Sequence, residues 1–485
     1  MFPWQSDVAP GERIEVASAD PPITPPVRSA EEQLRLFAFE GILPQSPDAL
    51  NCPQRALTTR ERLAILLEGE VNFHGTDSGY ASHDLHAFAA KFPPQLPRAF
   101  LRGLTSHGDV VLDPMMGSGT TVVEALLEGR QGIGLDIDPL ALHLSRVKTT
   151  RVDLASLQNT GKRVIARAKI LLSAGRIIEE HLTRRFDERT QAFIKYWFLP
   201  TTQRELMALV VAIEDITDRP VRSFLELTFS SMIVTKSGGV SLARDLAHSR
   251  PHLDKTKIPK SALEQFSLRL RKNLVSIAQL KSNGTMAVPL AGDARCMPIA
   301  SGVIDLVVTS PPYANAIDYM RAHKFSLVWL GGSIANLSKL RAGYIGSEHI
   351  GHAPDAALPE RPEGIIRQLA ERDASRTAIL RKYFVEMKSV LAEIHRVLRS
   401  NAAAIFLVGT SFMRGMDVQT HLCLADIAAS LGFDVVGVVQ RMLDRNKRMM
   451  PARFGKKTDS MIEQRMHEEY VIGLLKSENP WKINH

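Results

Sequence analysis

The sequence predicts an α/β protein whose mainly parallel sheet is split by a mainly helical insertion. Three observations carry that expectation. Short apolar runs at 109–113, 132–136 and 304–308 alternate with helix-like stretches, the order that builds right-handed crossovers onto a parallel sheet. The runs are mainly apolar without strict alternation, as strands covered by helices on both faces should be. From 151 to 285 the pattern changes to helix after helix, with segments such as 164–172 and 263–280.

Taken in order, residues 1–50 carry Pro21-Pro22 and Pro25-Pro26 and are expected to be irregular or loosely attached. Segments 55–70 and 84–104 read as helices leading into the first strand. That strand, 109–113, runs into Pro114-Met115-Met116-Gly117-Ser118-Gly119-Thr120-Thr121 and a helix-like stretch at 122–127. Gly117 and Gly119 let the backbone take positive φ and approach a ligand. The helix behind them offers free N–H groups to a carboxylate, although Ser118 and Thr120 could also cap it. The next strand, 132–136, ends in Asp136, which suits ribose hydroxyls. Two nucleotide loops are excluded: a P-loop needs Gly-Lys-Ser/Thr, and the NAD fingerprint needs a small residue where Val122 stands.

The helical stretch has Trp197 and Phe198 as core anchors and a basic, glycine-containing loop at 236–244. Sheet strands resume at 286–290, 304–309, 403–409, 433–440 and 469–475. After the strand at 304–308 comes Thr309-Ser310-Pro311-Pro312-Tyr313. Two prolines end a strand, since neither donates a ladder hydrogen bond and each fixes its φ. The result is a stiff turn at the carboxyl edge of a sheet, where α/β folds bind ligands. It presents one hydroxyl, bare carbonyls and one aromatic ring, a site for a planar group bearing an NH2. Residues 314–385 read as a long excursion beside that site, of the kind that forms lids or substrate contacts. His323 reads as a helix-surface histidine.

These segments together resemble the S-adenosylmethionine-dependent amino-methyltransferases of DNA, of the restriction–modification type, which act on cytosine N4 or adenine N6. The stretch 113–121 is similar to the family's cofactor loop, and Lys91-Phe92-Pro93-Pro94 to the segment beside the methionine part of the cofactor. Gly292-Asp293-Ala294-Arg295 resembles the acidic turn that meets the adenine, and Ser310-Pro311-Pro312-Tyr313 the catalytic motif. The likeness covers residues 85–150 and 286–476. It implies a Rossmann-like, seven-stranded methyltransferase sheet with its last strand antiparallel. It implies S-adenosylmethionine held by Lys91, Phe92, Pro93, Asp113, Pro114, Gly117, Ser118, Gly119, Thr120, Asp136 and Asp293. Catalysis would fall to Ser310, Pro311, Pro312 and Tyr313, acting on a base flipped out of double-stranded DNA. The catalytic domain would comprise residues 51–150 and 286–476, with target recognition at 151–285 and a tail at 477–485. Families with this order usually carry Asp or Asn before Pro-Pro-Tyr; Ser310 stands here, and serine is commonly associated with N4-cytosine methylation. Cytosine N4 is therefore favoured over adenine N6. A cognate restriction nuclease is left open as a further partner.

Charge agrees with a polyanionic partner. The 485-residue chain has a net charge of +8. Residues 151–285 hold 23 Lys/Arg against 13 Asp/Glu, so the basic surplus sits in the insertion. Candidate nucleic-acid contacts there are Lys236, Arg244, Arg269, Arg271 and Lys272. A second basic run, from Arg441 through Arg445, Lys447 and Arg448 to Lys457, lies between two strands and reads as a phosphate-gripping hairpin loop. Arg341 and Tyr344 are candidate contacts to the flipped strand. No run of 18 apolar residues and no signal-peptide pattern is present, and Cys52, Cys296 and Cys423 are isolated. A soluble, cytoplasmic enzyme without a metal is the expectation. An RNA amino-methyltransferase would use the same catalytic turn, and a non-catalytic nucleic-acid-binding protein would show the same charge.

Overall fold

The computed structural model describes residues 56–478 apart from 236–238, 245, 247–250, 281–283, 315–317, 349–355, 410 and 444–467. Lys236, Arg445, Lys447, Arg448, Cys52 and the segments 1–50 and 479–485 lie outside the described residues. A seven-stranded sheet organises the rest. Its strands are β1 (Val110–Asp113), β2 (Gln131–Asp136), β3 (Ala287–Ala291), β4 (Ile304–Thr309), β5 (Leu398–Gly409), β6 (Phe433–Met442) and β7 (Glu468–Lys476). They lie in the order β6-β7-β5-β4-β1-β2-β3. Strand β7 pairs antiparallel with both β5 and β6, and the other pairs are parallel. This is the expected Rossmann-like methyltransferase sheet with its antiparallel last strand.

The central strands explain their own composition. Val110 and Leu112 of β1 pack into one core layer with Ile304 and Val307, while Val111 packs into the other with Leu306 and Val308. Both faces are buried, so both must be apolar. Strand β1 has β2 on one side and β4 on the other, so the chain order reverses there. That reversal opens a crevice at the carboxyl ends of the strands.

The helices flanking the sheet begin where local chemistry allows. Helix α1 (Thr59–Glu68) opens on a capping box between Thr58 and Glu61. Helix α2 spans Gln95–Leu104, not the whole of 84–104. Pro93 and Pro94 cannot supply helix-interior N–H groups, and Ala90 has a φ of 53°, which a right-handed helix does not accommodate. Helix α3 (Thr120–Leu127) follows the glycine loop, and α4 (Pro139–Thr149) starts with Asp138 as cap and proline at its first turn.

The insertion contributes α5 (Leu154–Ser173), α6 (Arg176–Arg185), α7 (Glu188–Trp197), α8 (Pro200–Glu214), α9 (Arg219–Ile233) and α10 (Ala262–Ile277). Helix α10 stops short of the expected end at 280. The excursion after Tyr313 is largely helical, contrary to its reading as a long loop. It holds α11 (Met320–Leu327), α12 (Ile334–Ala342), α13 (Glu360–Ala370) and the start of α14 (Ala374–Val397). Phe325, Trp329 and Leu337 bury into the same core as the insertion helices, which is what orders the segment. Phe325 meets Trp197 at 5.0 Å and Phe198 at 6.2 Å between ring centroids. Phe198 is buried, whereas Trp197 is only partly so. Helix α15 (Thr420–Ser430) completes the set. Among the described residues no helix is long and apolar enough to cross a membrane.

Candidate active site

A cavity of about 760 Å³ opens at the crevice beside β1 and β4. It gathers residues that are far apart in the chain. Lys91 and Phe92, the loop Pro114–Ser118 with Thr120, the acid Asp136, the turn Gly292–Ala294 and the whole of Ser310–Tyr313 line it, as does Arg341. Pro93, Asp113 and Gly119 do not reach its wall.

The glycine loop is shaped by two positive dihedrals. Gly117 has φ 47° and Gly119 φ 74°. A Cβ on Gly119 would stand 2.5 Å from Ser145 Oγ, and one on Gly117 would stand 3.1 Å from the Phe88 ring. A side chain at Gly119 would have to move Ser145 of α4 and would need a left-handed backbone. Gly119 is itself the N-cap of α3 and makes no side-chain cap bond, so the first N–H groups of α3 are left for a ligand. Ser118 Oγ and Thr120 Oγ1 lie 3.2 Å apart and bond each other, so neither is the cap. Buried Lys148 donates to the Ser118 carbonyl at 2.8 Å and holds the loop from behind.

Two hydrogen bonds join the segment around this loop to the strand that leads into the Ser310–Tyr313 turn. Thr309 Oγ1 donates to Asp113 Oδ1 at 2.7 Å, and Thr121 Oγ1 donates to the Val308 carbonyl at 3.0 Å. Asp113 therefore sits beneath the cavity as a tie between β1 and β4, which explains why it does not line the wall. Burial pushes its pKa up to about 6 against the lowering effect of Thr309 and the Met115 N–H.

Asp136 lies at the end of β2 and takes the Gly117 N–H and the Asp138 N–H, each at 2.8 Å. Burial, then the neighbouring Asp138, raises its pKa to about 7. Asp293 is differently engaged. Both of its oxygens accept from Arg295, at 2.6–3.1 Å, and Arg295 also pairs with Glu386. Its carboxylate is tied up inside the turn. Lys91 precedes α2 and donates to the His83 carbonyl at 2.8 Å.

His323 is buried rather than on a helix surface, correcting its sequence reading. Its Nδ1 lies 2.8 Å from Asp138 Oδ2, which also accepts from the Tyr344 hydroxyl at 2.7 Å. Burial raises the Asp138 pKa, but His323, Tyr344 and the capping N–H groups outweigh it and hold the carboxyl below its usual range. Phe88 stacks on Tyr319 at 5.3 Å, and both line the cavity. Asp138, Phe88 and Tyr319 escape the sequence reading. Only the cap signal of Asp138-Pro139 is legible, and it says nothing of partners 185 and 206 residues away.

The candidate nucleic-acid contacts are scattered. Arg244 pairs with Asp254 at 2.6 Å, Lys272 with Asp84 at 2.6 Å and Arg341 with Asp318 at 2.6 Å. Arg269 is half-buried and Arg271 exposed on α10. Arg441, read as the start of a phosphate-gripping loop, is instead buried within β6 and paired with Glu469.

The DNA methylase family model matches residues 69–146, which hold the glycine loop. The type II methyltransferase M.MvaI of Kocuria varians is 20% identical over 385 residues, 74% of this chain and 83% of that one. The type II methyltransferase M.AvaI of Nostoc sp. is 25% identical over 361 residues, 67% of this chain and 73% of that one. Among solved structures, a TehB-like SAM-dependent methyltransferase from Corynebacterium glutamicum covers 79% of this chain and 87% of its own. It does so at 8% identity and a TM-score of 0.25, too distant to add to the topology. By these matches the chain is similar to the amino-methyltransferases of DNA, of the restriction–modification type. The residues present fit S-adenosylmethionine: two glycines where a Cβ would intrude, an uncapped helix start and an acid at the end of β2.

Proposed function

We propose that this chain methylates the exocyclic amine of a base flipped out of double-stranded DNA, at cytosine N4 in preference to adenine N6. One observation carries the reading: the Ser310–Tyr313 turn and the Pro114–Ser118 loop face a common cavity, and the strands that bear them are tied together by the Thr309–Asp113 bond. Asp136 would hold the ribose of the cofactor, the start of α3 its carboxylate, and Lys91 and Phe92 its methionine part. The turn Gly292–Ala294 would flank its adenine. Bound S-adenosylmethionine supplies an electrophilic methyl group.

The chain's own residues prepare the amine. A base amine is a poor nucleophile because its lone pair is delocalised into the ring. Ser310 Oγ and the Pro311 carbonyl accept its two N–H groups, which favours a pyramidal nitrogen with its lone pair directed at the electrophile. The Tyr313 ring meets the base face, a contribution of about 1–3 kcal/mol. No strong base is needed, since the methylated cation is acidic enough to lose a proton to water. Residues 151–285 serve target recognition, between two halves of the catalytic domain at 51–150 and 286–476. Serine at 310, in place of Asp or Asn, supports cytosine N4.

Mass analysis of nucleosides from DNA and RNA incubated with protein and cofactor tests this reading. N4-methylcytosine in DNA alone is expected. N6-methyladenine would overturn the choice of base, methylated RNA the choice of substrate, and no product would favour a non-catalytic binding protein. In single-turnover transfer at saturating cofactor, Ser310→Ala should be slower by roughly a hundredfold to a thousandfold, the usual cost of about 2.7–4 kcal/mol for one preorganised hydrogen bond. A rate within threefold of wild type would remove Ser310 from the mechanism.

A further inference from the structure

The Tyr313 ring has a built seat. A Cβ on Gly409, the last residue of β5, would stand 2.5 Å from Tyr313 Cε2 and 2.9 Å from Cζ, so the ring lies directly on that glycine. Directly across the ladder from Gly409 is Glu469 of β7. The Tyr313 hydroxyl donates to Glu469 Oε1 at 2.8 Å. Ring face and hydroxyl are thus held by two residues that the antiparallel register places side by side.

Glu469 is itself immobilised. Its other oxygen takes Arg441 Nη1, and Arg441 stands opposite Glu469 in the β6–β7 ladder. Arg441 is 3% exposed and has no freedom to leave. Its Nε donates to the Val71 carbonyl at 3.0 Å and its Nη2 to the Asn72 carbonyl at 3.3 Å. The Asn72 side chain in turn accepts the Met442 N–H at 2.7 Å. A buried ion pair that merely stabilised the sheet would not need a third member reaching in from the catalytic turn. Replacing such a pair by apolar side chains often costs no stability, so its retention invites a positional role.

We propose that Glu469, backed by Arg441 and set opposite Gly409, is a positioning residue that fixes the plane of the Tyr313 ring against which the target base stacks. The proposal rests on the reading of Tyr313 as the base-contacting ring. An aromatic side chain at the end of a loop can rotate and swing; here the ring is pinned on one face by backbone and at its tip by a carboxylate. Tyr313 also lines the cavity. A flipped base then meets a surface already oriented, and its amine arrives at Ser310 and Pro311 without a search.

The test uses the full-length protein and two duplexes carrying the sequence it methylates, one unmodified for the rates and one with 2-aminopurine at the target base for the fluorescence. Tyr313→Phe removes one oxygen and leaves the Glu469–Arg441 pair intact. It should lower the single-turnover rate about tenfold, equivalent to one lost hydrogen bond of about 1.4 kcal/mol, with cofactor affinity unchanged. The fluorescence decay of the flipped 2-aminopurine, dominated by one lifetime in the wild type, should spread into several. Glu469→Ala should do the same, and the double variant should be no slower than either single one, since both cut the same link. Should Glu469→Ala fail to fold because Arg441 is left without its anion, Tyr313→Phe and its lifetimes decide alone. Tyr313→Ala separates the two claims. If it is strongly impaired while Tyr313→Phe matches the wild type in rate and lifetimes, the ring matters and the clamp is overturned. If Tyr313→Ala is itself unimpaired, the base-stacking reading fails and the clamp with it.

Discussion

Asp136 carries a proton at a pH where an exposed aspartate would not, and that has opposite consequences for stability and for binding. Its folded pKa of about 7 lies above the ordinary 3.8. Between those values the folded chain holds a proton that the unfolded chain releases, so its contribution to stability declines as pH rises from about 4 to 7. In the proposed mode of binding, ribose hydroxyls would, in contrast, donate to the charged carboxylate. Cofactor affinity should therefore climb as pH rises toward 7, by up to about tenfold per unit, and level off above it. Calorimetry from about pH 5.5 to about pH 8.5, a span bracketing that titration, should show this slope in the wild type and a flat, weak response in Asp136→Asn. An equally steep slope in Asp136→Asn would assign it to another group, with Asp113 and Glu124 the obvious sources, since their pKa values are about 6 and about 7. Asp136 can be read from the sequence because its clues are adjacent: an apolar strand, then an acid. His323 cannot, because its partner Asp138 is 185 positions away and nothing near either residue signals the pairing.

At the scale of elements, the glycine loop shows why a short motif can be legible while its surroundings are not. Gly119 is required by its own φ and by Ser145 of the next helix, α4, so the need for glycine is written locally. Gly119→Ala should cost about 1–2 kcal/mol from the left-handed backbone alone, with more from the clash with Ser145, and should weaken cofactor binding. Gly175, between α5 and α6, is the control: a Cβ there meets nothing within 4 Å, so Gly175→Ala should be near neutral or slightly stabilising. Thermal melts and calorimetry of the two variants distinguish them, and equal losses in both would mean that the loop geometry is not what selects Gly119. The excursion after Tyr313 reads as loop because its first helices are short and its apolar residues are satisfied by α7 and its neighbours, far away in sequence. Helix α2 reads as longer than it is because the apolar pattern of 84–94 continues smoothly into it, and only the Pro93-Pro94 pair marks where helix can begin. Strand β5 starts at Leu398 rather than 403, since Arg399, Ser400 and Asn401 are exposed and carry no strand-like pattern.

Across the whole molecule, the insertion and the excursion share one core, in which Phe325 and Trp329 pack against Phe198 and Phe186. The excursion in turn is fastened to the cofactor side of the cavity by His323 and Tyr344 on Asp138. Nucleic acid held by the insertion would therefore be registered against the site through packed side chains rather than a loose linker. Charge decides where that grip should be sought. Lys272 and Arg244 are already paired with Asp84 and Asp254, so their fields are partly cancelled. Arg271 is exposed on α10 and Arg269 half-exposed beside it, which makes them the better candidates for phosphates. Arg269→Glu combined with Arg271→Glu should weaken DNA binding and flatten the plot of log affinity against log salt by about 0.9 for each phosphate no longer neutralised. Cofactor affinity should stay unchanged, because neither side chain lines the cavity. Lys272→Glu should have the smaller effect on the salt slope, since it removes a charge that Asp84 already offsets. Binding isotherms from about 50 to about 200 mM salt make the comparison. A slope unaltered in the double variant would place the phosphate-binding groups away from α10.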